Sequence, residues 1–265
     1  MQSQTVFFRE VGSGPSIVCL HSNGSSSSQW RPLMDALAPK FHVLAADSYG
    51  AGKSPPWPTD RAIGLRDEVA LLEPVFDQAG AAFSLVGHSY GAAIALIAAI
   101  EHPDRVQALV MYEPTLFALL DAESPQPNDA EGIREAVAGA VLALESHDSD
   151  DAARLFIDYW MGSGTWEHMP ERNKAAIAAS IVNVGGWKSA LFGEPTPLRA
   201  FSELDIPVLY MVGMQSPPSS RGVARLLTRV LQHVEVVEFK DLGHMGPVTH
   251  PAIVNETIFR FLEQF

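Results

Sequence analysis

Phe83-Ser84-Leu85-Val86-Gly87-His88-Ser89-Tyr90-Gly91-Ala92-Ala93-Ile94-Ala95-Leu96 is the stretch that decides how this chain is read. Residues 83–86 form a short apolar run of strand length, and residues 90–101 form a strongly apolar helix stopped by His102-Pro103. Between them lies a G-x-S-x-G run, Gly87 to Gly91. That motif carries meaning only where a strand precedes it and a helix follows, and both are present. The glycines permit a tight turn that lifts Ser89 into a strained position. The helix starting beside it turns its positive end toward any anion that forms there. Ser89 is therefore the candidate nucleophile, weighed against the plainer reading of a small residue in a strand–helix turn. His88 sits inside the turn and reads as a packing or positioning residue.

Working outward, short apolar runs alternate with helical patterns, which predicts an α/β fold with a mostly parallel sheet flanked by helices. Strands are expected at residues 5–10, 16–20, 41–46, 83–86 and 106–112, with helices at 29–37 and 63–78, the latter interrupted at Pro74. Residues 47–58 are rich in Gly and Pro and read as loop. The alternation stops after Tyr112. Residues 114–204 hold helical patterns, proline breaks and Trp160, Trp166 and Trp187, without a clear strand. They read as a helical lid or cap insertion, leaving 1–113 and 205–265 as the core. Strand–helix rhythm resumes at 206–212, 221–231, 234–239 and 253–262.

A chain of 265 residues buries about 70–75% of its unfolded surface, enough for a full core without staples. The single cysteine, Cys19, excludes an intramolecular disulfide and reads as a buried core thiol; a reducing cytoplasm fits. The N-terminus has no basic start followed by an apolar core, and the longest apolar stretch, 92–100, falls far short of the roughly 20 residues that span a bilayer. No membrane association is expected. A formal net charge of −13 disfavours nucleic acid as a partner. The nine histidines show no HxxxH or HxH spacing, so no metal is expected. Oligomeric state is not readable.

Four runs in order resemble the α/β-hydrolase superfamily: Leu20-His21-Ser22-Asn23-Gly24, Asp47-Ser48-Tyr49-Gly50-Ala51-Gly52-Lys53-Ser54, the turn at 87–91, and Gly243-His244-Met245. The likeness covers nearly the whole length outside the insertion. It implies that His244, past the last strand, is the general base; His233, on a polar stretch before the last strand, and His250, in the final helix region, read as surface residues. The loop after the early strand usually carries His-Gly in that family; here it is His21-Ser22. By motif position the backbone N–H groups of Asn23 and Tyr90 are the implied oxyanion donors. Asn23 as a plain turn residue is the competing reading. Gly52-Lys53-Ser54 is not a phosphate loop, because the glycine required five positions earlier is Asp47. In the family that run is a loop whose Asp and Gly residues are structural.

The resemblance places the acid between Ser and His in chain order, usually in a G-x-x-D pattern after the strand at 206–212. This chain has Gly213-Met214-Gln215-Ser216 there. A family variant moves the acid to the end of the preceding strand, where Leu109-Val110-Met111-Tyr112-Glu113-Pro114 offers Glu113, on the sheet edge that carries Ser89. A hinge carboxylate is the plain alternative for Glu113, and Asp241, in the loop of His244, is a rival acid.

The expected function is a serine hydrolase, carboxylesterase-like, that cleaves a small ester, lactone or similar acyl compound through an acyl-enzyme, with no metal or organic cofactor. The insertion's tryptophans, with Phe156 and Met161, suggest an apolar cavity. Serine at 89 excludes the cousins with an aspartate nucleophile. Carbon–carbon bond hydrolases and cofactor-free perhydrolases share the same residues and stay open. So does a slow-turnover ligand sensor on the same fold.

Overall fold

A computed structural model describes residues 5–265. Seven strands form one sheet in the order β1-β3-β2-β4-β5-β6-β7. These are β1 (Phe8–Gly12), β2 (Ser16–Leu20), β3 (His42–Ala46), β4 (Phe83–His88), β5 (Val106–Tyr112), β6 (Val208–Gly213) and β7 (Val234–Phe239). Among the described residues only β1 runs antiparallel, against β3; the other pairings are parallel.

The central strands are near-continuous apolar runs because both faces of the sheet are covered. Side chains alternate across it. Ile17 and Cys19 of β2 face a cluster with Leu33, Met34 and Leu37 of α1 (Arg31–Leu37) and Val254, Ile258 and Phe261 of the C-terminal helix. Val18 and Leu20 face the larger cluster, with α2 (Leu65–Ala79) and α3 (Tyr90–Glu101). Cys19 is fully buried, as expected, and burial pushes its thiol pKa far up.

Three expected elements differ in detail. The first strand lies at 8–12 rather than 5–10, because its position is set by pairing with β3, and its own residues are mostly half-exposed. The helix expected from residue 29 starts as a 3-10 turn, Ser27–Trp30, before α1. Pro74 lies inside a continuous α2, held by the burial of Val75 and Phe76 just after it.

Between β5 and β6 the chain makes no strand. It forms α4 (Ala118–Glu123), α5 (Glu131–Glu145), α6 (Ser149–Met161), α7 (Thr165–His168), α8 (Glu171–Ile181) and α9 (Val184–Phe192), then a 3-10 turn at Leu198–Glu203. The chain then returns to the core through β6, α10 (Pro218–Val230), β7, α11 (Gly246–Thr249) and α12 (Pro251–Leu262). Among the described residues no single helix is long and apolar enough to cross a membrane.

Candidate active site

Ser89 is the one residue between β4 and α3, and it takes φ 56°, a left-handed conformation costly for any side chain but glycine. Its neighbours make that turn possible. A Cβ at Gly91 would strike the carbonyl of Leu20, and one at Gly87 would strike the backbone of Ala92. The Ser89 N–H donates to the carbonyl of Tyr112 at 2.9 Å, which extends the β4–β5 ladder by one step beyond the pair His88 and Tyr112.

The neighbouring strand behaves alike. β5 ends at Tyr112, and Glu113 follows with φ 48°; its N–H donates to Met211 of β6 at 3.2 Å. Ser89 and Glu113 thus leave adjacent strands one residue past the same register pair.

The loop after β7 carries His244 to both of them. Its Nε2 lies 2.9 Å from Ser89 Oγ and its Nδ1 lies 2.6 Å from Glu113 Oε2. With Nδ1–H donating to the carboxylate, Nε2 is free to accept the serine proton. The other carboxylate oxygen, Oε1, accepts from the Gly213 N–H at 2.7 Å and from Ser216 Oγ at 2.6 Å. Glu113 is fully buried, so these three donors are what keeps its negative charge tolerable there. Ser220 Oγ also approaches Nδ1, at 3.3 Å. The rival Asp241 is exposed and makes no hydrogen bond to His244; His233 and His250 are exposed, away from this chain of bonds.

The loop bearing His244 is tied down at its backbone. Tyr112 Oη donates to the Gly243 carbonyl at 2.8 Å, and His88 Nε2 donates to the carbonyl of His244 itself at 2.8 Å. His88 Nδ1 accepts from the side-chain amide of Gln29 at 3.1 Å, and Gln29 Oε1 accepts both the N–H and the hydroxyl of Ser22. One line of hydrogen bonds therefore joins the loop after β2, the turn at Ser89 and the backbone of His244. His88 is in the positioning role expected of it. Burial pushes its pKa well below the usual imidazole range, so it is neutral, as these donor and acceptor roles require. His21 is likewise buried and neutral: Nδ1 donates to the Ser22 carbonyl at 2.7 Å and Nε2 accepts the Ser48 N–H at 3.1 Å.

The expected structural role of Asp47 is visible. Its carboxylate accepts the N–H groups of Ser27 and Lys53 and so staples the two loops. Among the described residues neither the Asn23 N–H nor the Tyr90 N–H has an acceptor in the protein. Tyr90 is the first residue of α3, where the amides have no partner within the helix. Its side chain points elsewhere, donating to Glu68 at 3.0 Å. Glu68 is fully buried beneath this turn, and burial pushes its carboxyl up to about 7.

A cavity of about 1140 Å³ opens over Ser89 and His244. Asn23 lines it from the core, while Phe156, Trp160, Met161 and Trp187 line it from α6 and α9. The apolar wall expected of the insertion is thus present, except that Trp166 packs elsewhere, its Nε1 donating to Asp150. Trp160 does more than line the cavity. Its indole stacks on the His244 imidazole with centroids 3.9 Å apart and planes 24° apart. The adjacent Tyr159 hydroxyl lies 2.7 Å from Ser219 Oγ, so two consecutive residues of α6 hold the core beside the histidine. No cluster of His, Cys, Asp and Glu among the described residues could hold a metal ion.

Sequence reasoning missed Gln29, Ser216 and the stacking of Trp160. Gln29 and Ser216 are neutral polar residues in or beside loops and carry no pattern. Trp160 stood out only as one of three tryptophans in a strandless segment.

The chain is similar over nearly its whole length to known hydrolases. Over 98% of its length the chain is 24% identical to the (E)-2-((N-methylformamido)methylene)succinate hydrolase of Acinetobacter baylyi, covering 95% of that protein. Over 90% of its length it is 23% identical to a pimeloyl-[acyl-carrier protein] methyl ester esterase of Legionella pneumophila, covering 91% of it. Among solved structures, the enol-lactonase of Burkholderia xenovorans superposes with a TM-score of 0.79 at 18% identity, over 97% of this chain and 96% of that one. The family model for the alpha/beta hydrolase fold matches residues 15–251, and the chain belongs to that family.

Proposed function

We propose that this chain is a serine hydrolase that cleaves a small ester, lactone or similar acyl compound through an acyl-enzyme. The observation that carries the reading is the unbroken line Ser89 Oγ to His244 Nε2 (2.9 Å) and His244 Nδ1 to Glu113 Oε2 (2.6 Å). A serine hydroxyl is a weak nucleophile near neutral pH, and this arrangement supplies the base and the group that orients it. A relative named as a methyl ester esterase and a structural neighbour named as an enol-lactonase support ester chemistry.

In the proposed reaction Ser89 Oγ attacks the substrate carbonyl as its proton passes to His244 Nε2. The carbonyl π pair moves to oxygen, and the N–H groups of Asn23 and Tyr90 hold the oxyanion. Collapse breaks the bond to the leaving group, which takes the proton from Nε2. Water then adds to the acyl-enzyme, giving its proton to the same nitrogen; the second collapse returns that proton to Ser89 and releases the acid. Glu113 stays ionised throughout and stabilises the imidazolium. The helices of residues 114–204 act as a lid that supplies the cavity's apolar wall.

A fluorophosphonate probe tests the reading. Rapid adduct formation on Ser89, located by mass spectrometry and absent in Ser89→Ala, is the expected result, with steady turnover of short aryl esters. No adduct on the folded protein overturns it. Labelling without steady-state turnover would move the chain to the ligand-sensor class.

A further inference from the structure

The cavity over Ser89 has a charge opposite to that of the chain around it. Of its wall residues, those that can carry charge are His168, Arg172 and His244; among the described residues no Asp or Glu reaches it. The whole chain has 31 Asp and Glu against 18 Lys and Arg. That excess repels an anion at long range, but salt screens the repulsion beyond about 8 Å. Inside the cavity the nearby charges decide, and they are positive. The carboxylates close by in sequence are engaged elsewhere. Glu171 is exposed and pairs with Lys174 at 2.9 Å. Asp158 accepts the N–H groups of Gly164 and Trp166. Arg172 itself makes no hydrogen bond or ion pair with a described residue.

α8 sets the distance from this cation to the chemistry. Arg172, Asn173, Ala176, Ile177 and Ser180 all line the cavity and share one face of the helix. At its C-terminal end, Ser180 packs on the loop after β2: a Cβ on Gly24 would stand 3.6 Å from Ser180 Oγ. Gly24 follows Asn23, the oxyanion donor of the proposed reaction. Arg172 lies eight positions back along α8, about 12 Å at 1.5 Å per residue. Between the two ends the face presents Ala176 and Ile177. A substrate lying along it meets the oxyanion loop, then an apolar stretch, then a guanidinium. Resting on the serine-hydrolase reading above, we propose that this cavity takes an ester that also carries a carboxylate, with the carboxylate about 12 Å from the scissile carbonyl and paired with Arg172. The paired N–H donors of a guanidinium match a carboxylate, and the Asn173 side-chain amide stands beside them. An extended chain advances about 1.2 Å per bond, so about nine or ten bonds separate the two groups.

The test uses mono-(4-nitrophenyl) sebacate, whose chain has this length, and the same ester with a primary amide at its far end. The two share a leaving group and differ in the charge of that end. In the unaltered protein kcat/KM for the carboxylate exceeds that for the amide by about fivefold, the upper range for an exposed ion pair. The corresponding adipate pair, about half as long, shows a smaller preference. Salt at about 0.5 M, where the screening length falls to about 4 Å, weakens the preference. Arg172→Gln brings the two sebacate esters to the same kcat/KM, Arg172→Lys keeps part of the difference, and Arg172→Glu reverses it. 10-Acetoxydecanoate and its amide, followed by acetate release, put the charge on the leaving group instead. A preference in that pair rather than in the sebacates assigns α8 to the alcohol side of the substrate. Equal kcat/KM for carboxylate and amide in both pairs overturns the proposal. So does a preference that survives Arg172→Gln, or one as large for the adipates as for the sebacates. Failure of Ser89 to take the fluorophosphonate is a different result, because it removes the hydrolase reading itself.

Discussion

The hydroxyl of Ser216 donates to Oε1 of Glu113 at 2.6 Å, across 103 positions of sequence. Ser216 stands where the G-x-x-D pattern would put an acid. The position has not gone idle: it supports the carboxylate that β5 supplies in its place. Glu113→Gln removes the charge while keeping the shape, and kcat should fall by about 10⁴ with the fold intact. Near-normal turnover would return the acid to another residue. Ser216→Ala removes one of three donors and should lower kcat by only about tenfold, since one hydrogen bond to a charged group is lost while Gly213 and His244 remain.

Trp160 reaches His244 from α6, in the run of helices between β5 and β6, and holds the ring from its face while Glu113 and Ser89 hold it by its edge. Aromatic stacking of this kind contributes about 0.5–1.5 kcal/mol. Trp160→Leu should therefore lower kcat by up to about tenfold with a smaller change in KM, and Trp160→Phe should recover most of it. A Trp160→Leu variant with the parent's kcat would show that the stack does not hold the imidazole in place.

Gln29 links Ser22 to His88. Gln29→Ala leaves the Ser22 N–H, the Ser22 hydroxyl and His88 Nδ1 without partners. A loss of about 1–3 kcal/mol in urea denaturation is expected, with a drop in kcat as the base loop loosens. A variant as stable and as active as the parent would show that water replaces the amide at no cost.

Glu68 carries a stability signature with pH. Its folded-state pKa, about 7, lies above the ordinary 4.5, so between those values the folded protein keeps a proton that the unfolded chain releases. Stability from this group is fully present below about pH 4.5 and is lost as pH rises to about 7. At 1.36 kcal/mol per unit the change is about 3 kcal/mol. Glu68→Gln imitates the protonated form, so its stability relative to the parent should rise by about that amount from pH 4 to pH 8, measured by urea midpoints. His21 and His88 titrate identically in both proteins and cancel. A difference that stays flat with pH would mean that Glu68 is ionised in the fold.

The sheet and the turn at Ser89 were legible because buried parallel strands are apolar runs and because a G-x-S-x-G run lies between a strand and an apolar helix, its glycines standing where no Cβ fits. The edge strand was misplaced since half-exposed residues carry a weak pattern. The resemblance put Glu113 forward as the acid, with Asp241 as a rival; burial and distance separate them, with Glu113 enclosed and Asp241 in solvent. The Trp160 stack and the place of Arg172 in the cavity wall depend on how six helices settle against the core, which no local spacing encodes.

Ser89 and Glu113 are held one step past the same rung of the β4–β5 ladder, so the gap between them is a strand spacing rather than a loop conformation. A loop can loosen on warming while the rest of a protein stays folded; a central rung cannot part before its sheet does. Heating should therefore leave these two residues in place until the whole core melts. Any activity lost below that temperature would then be traceable to His244 or to the helices above it, and cooling should restore it.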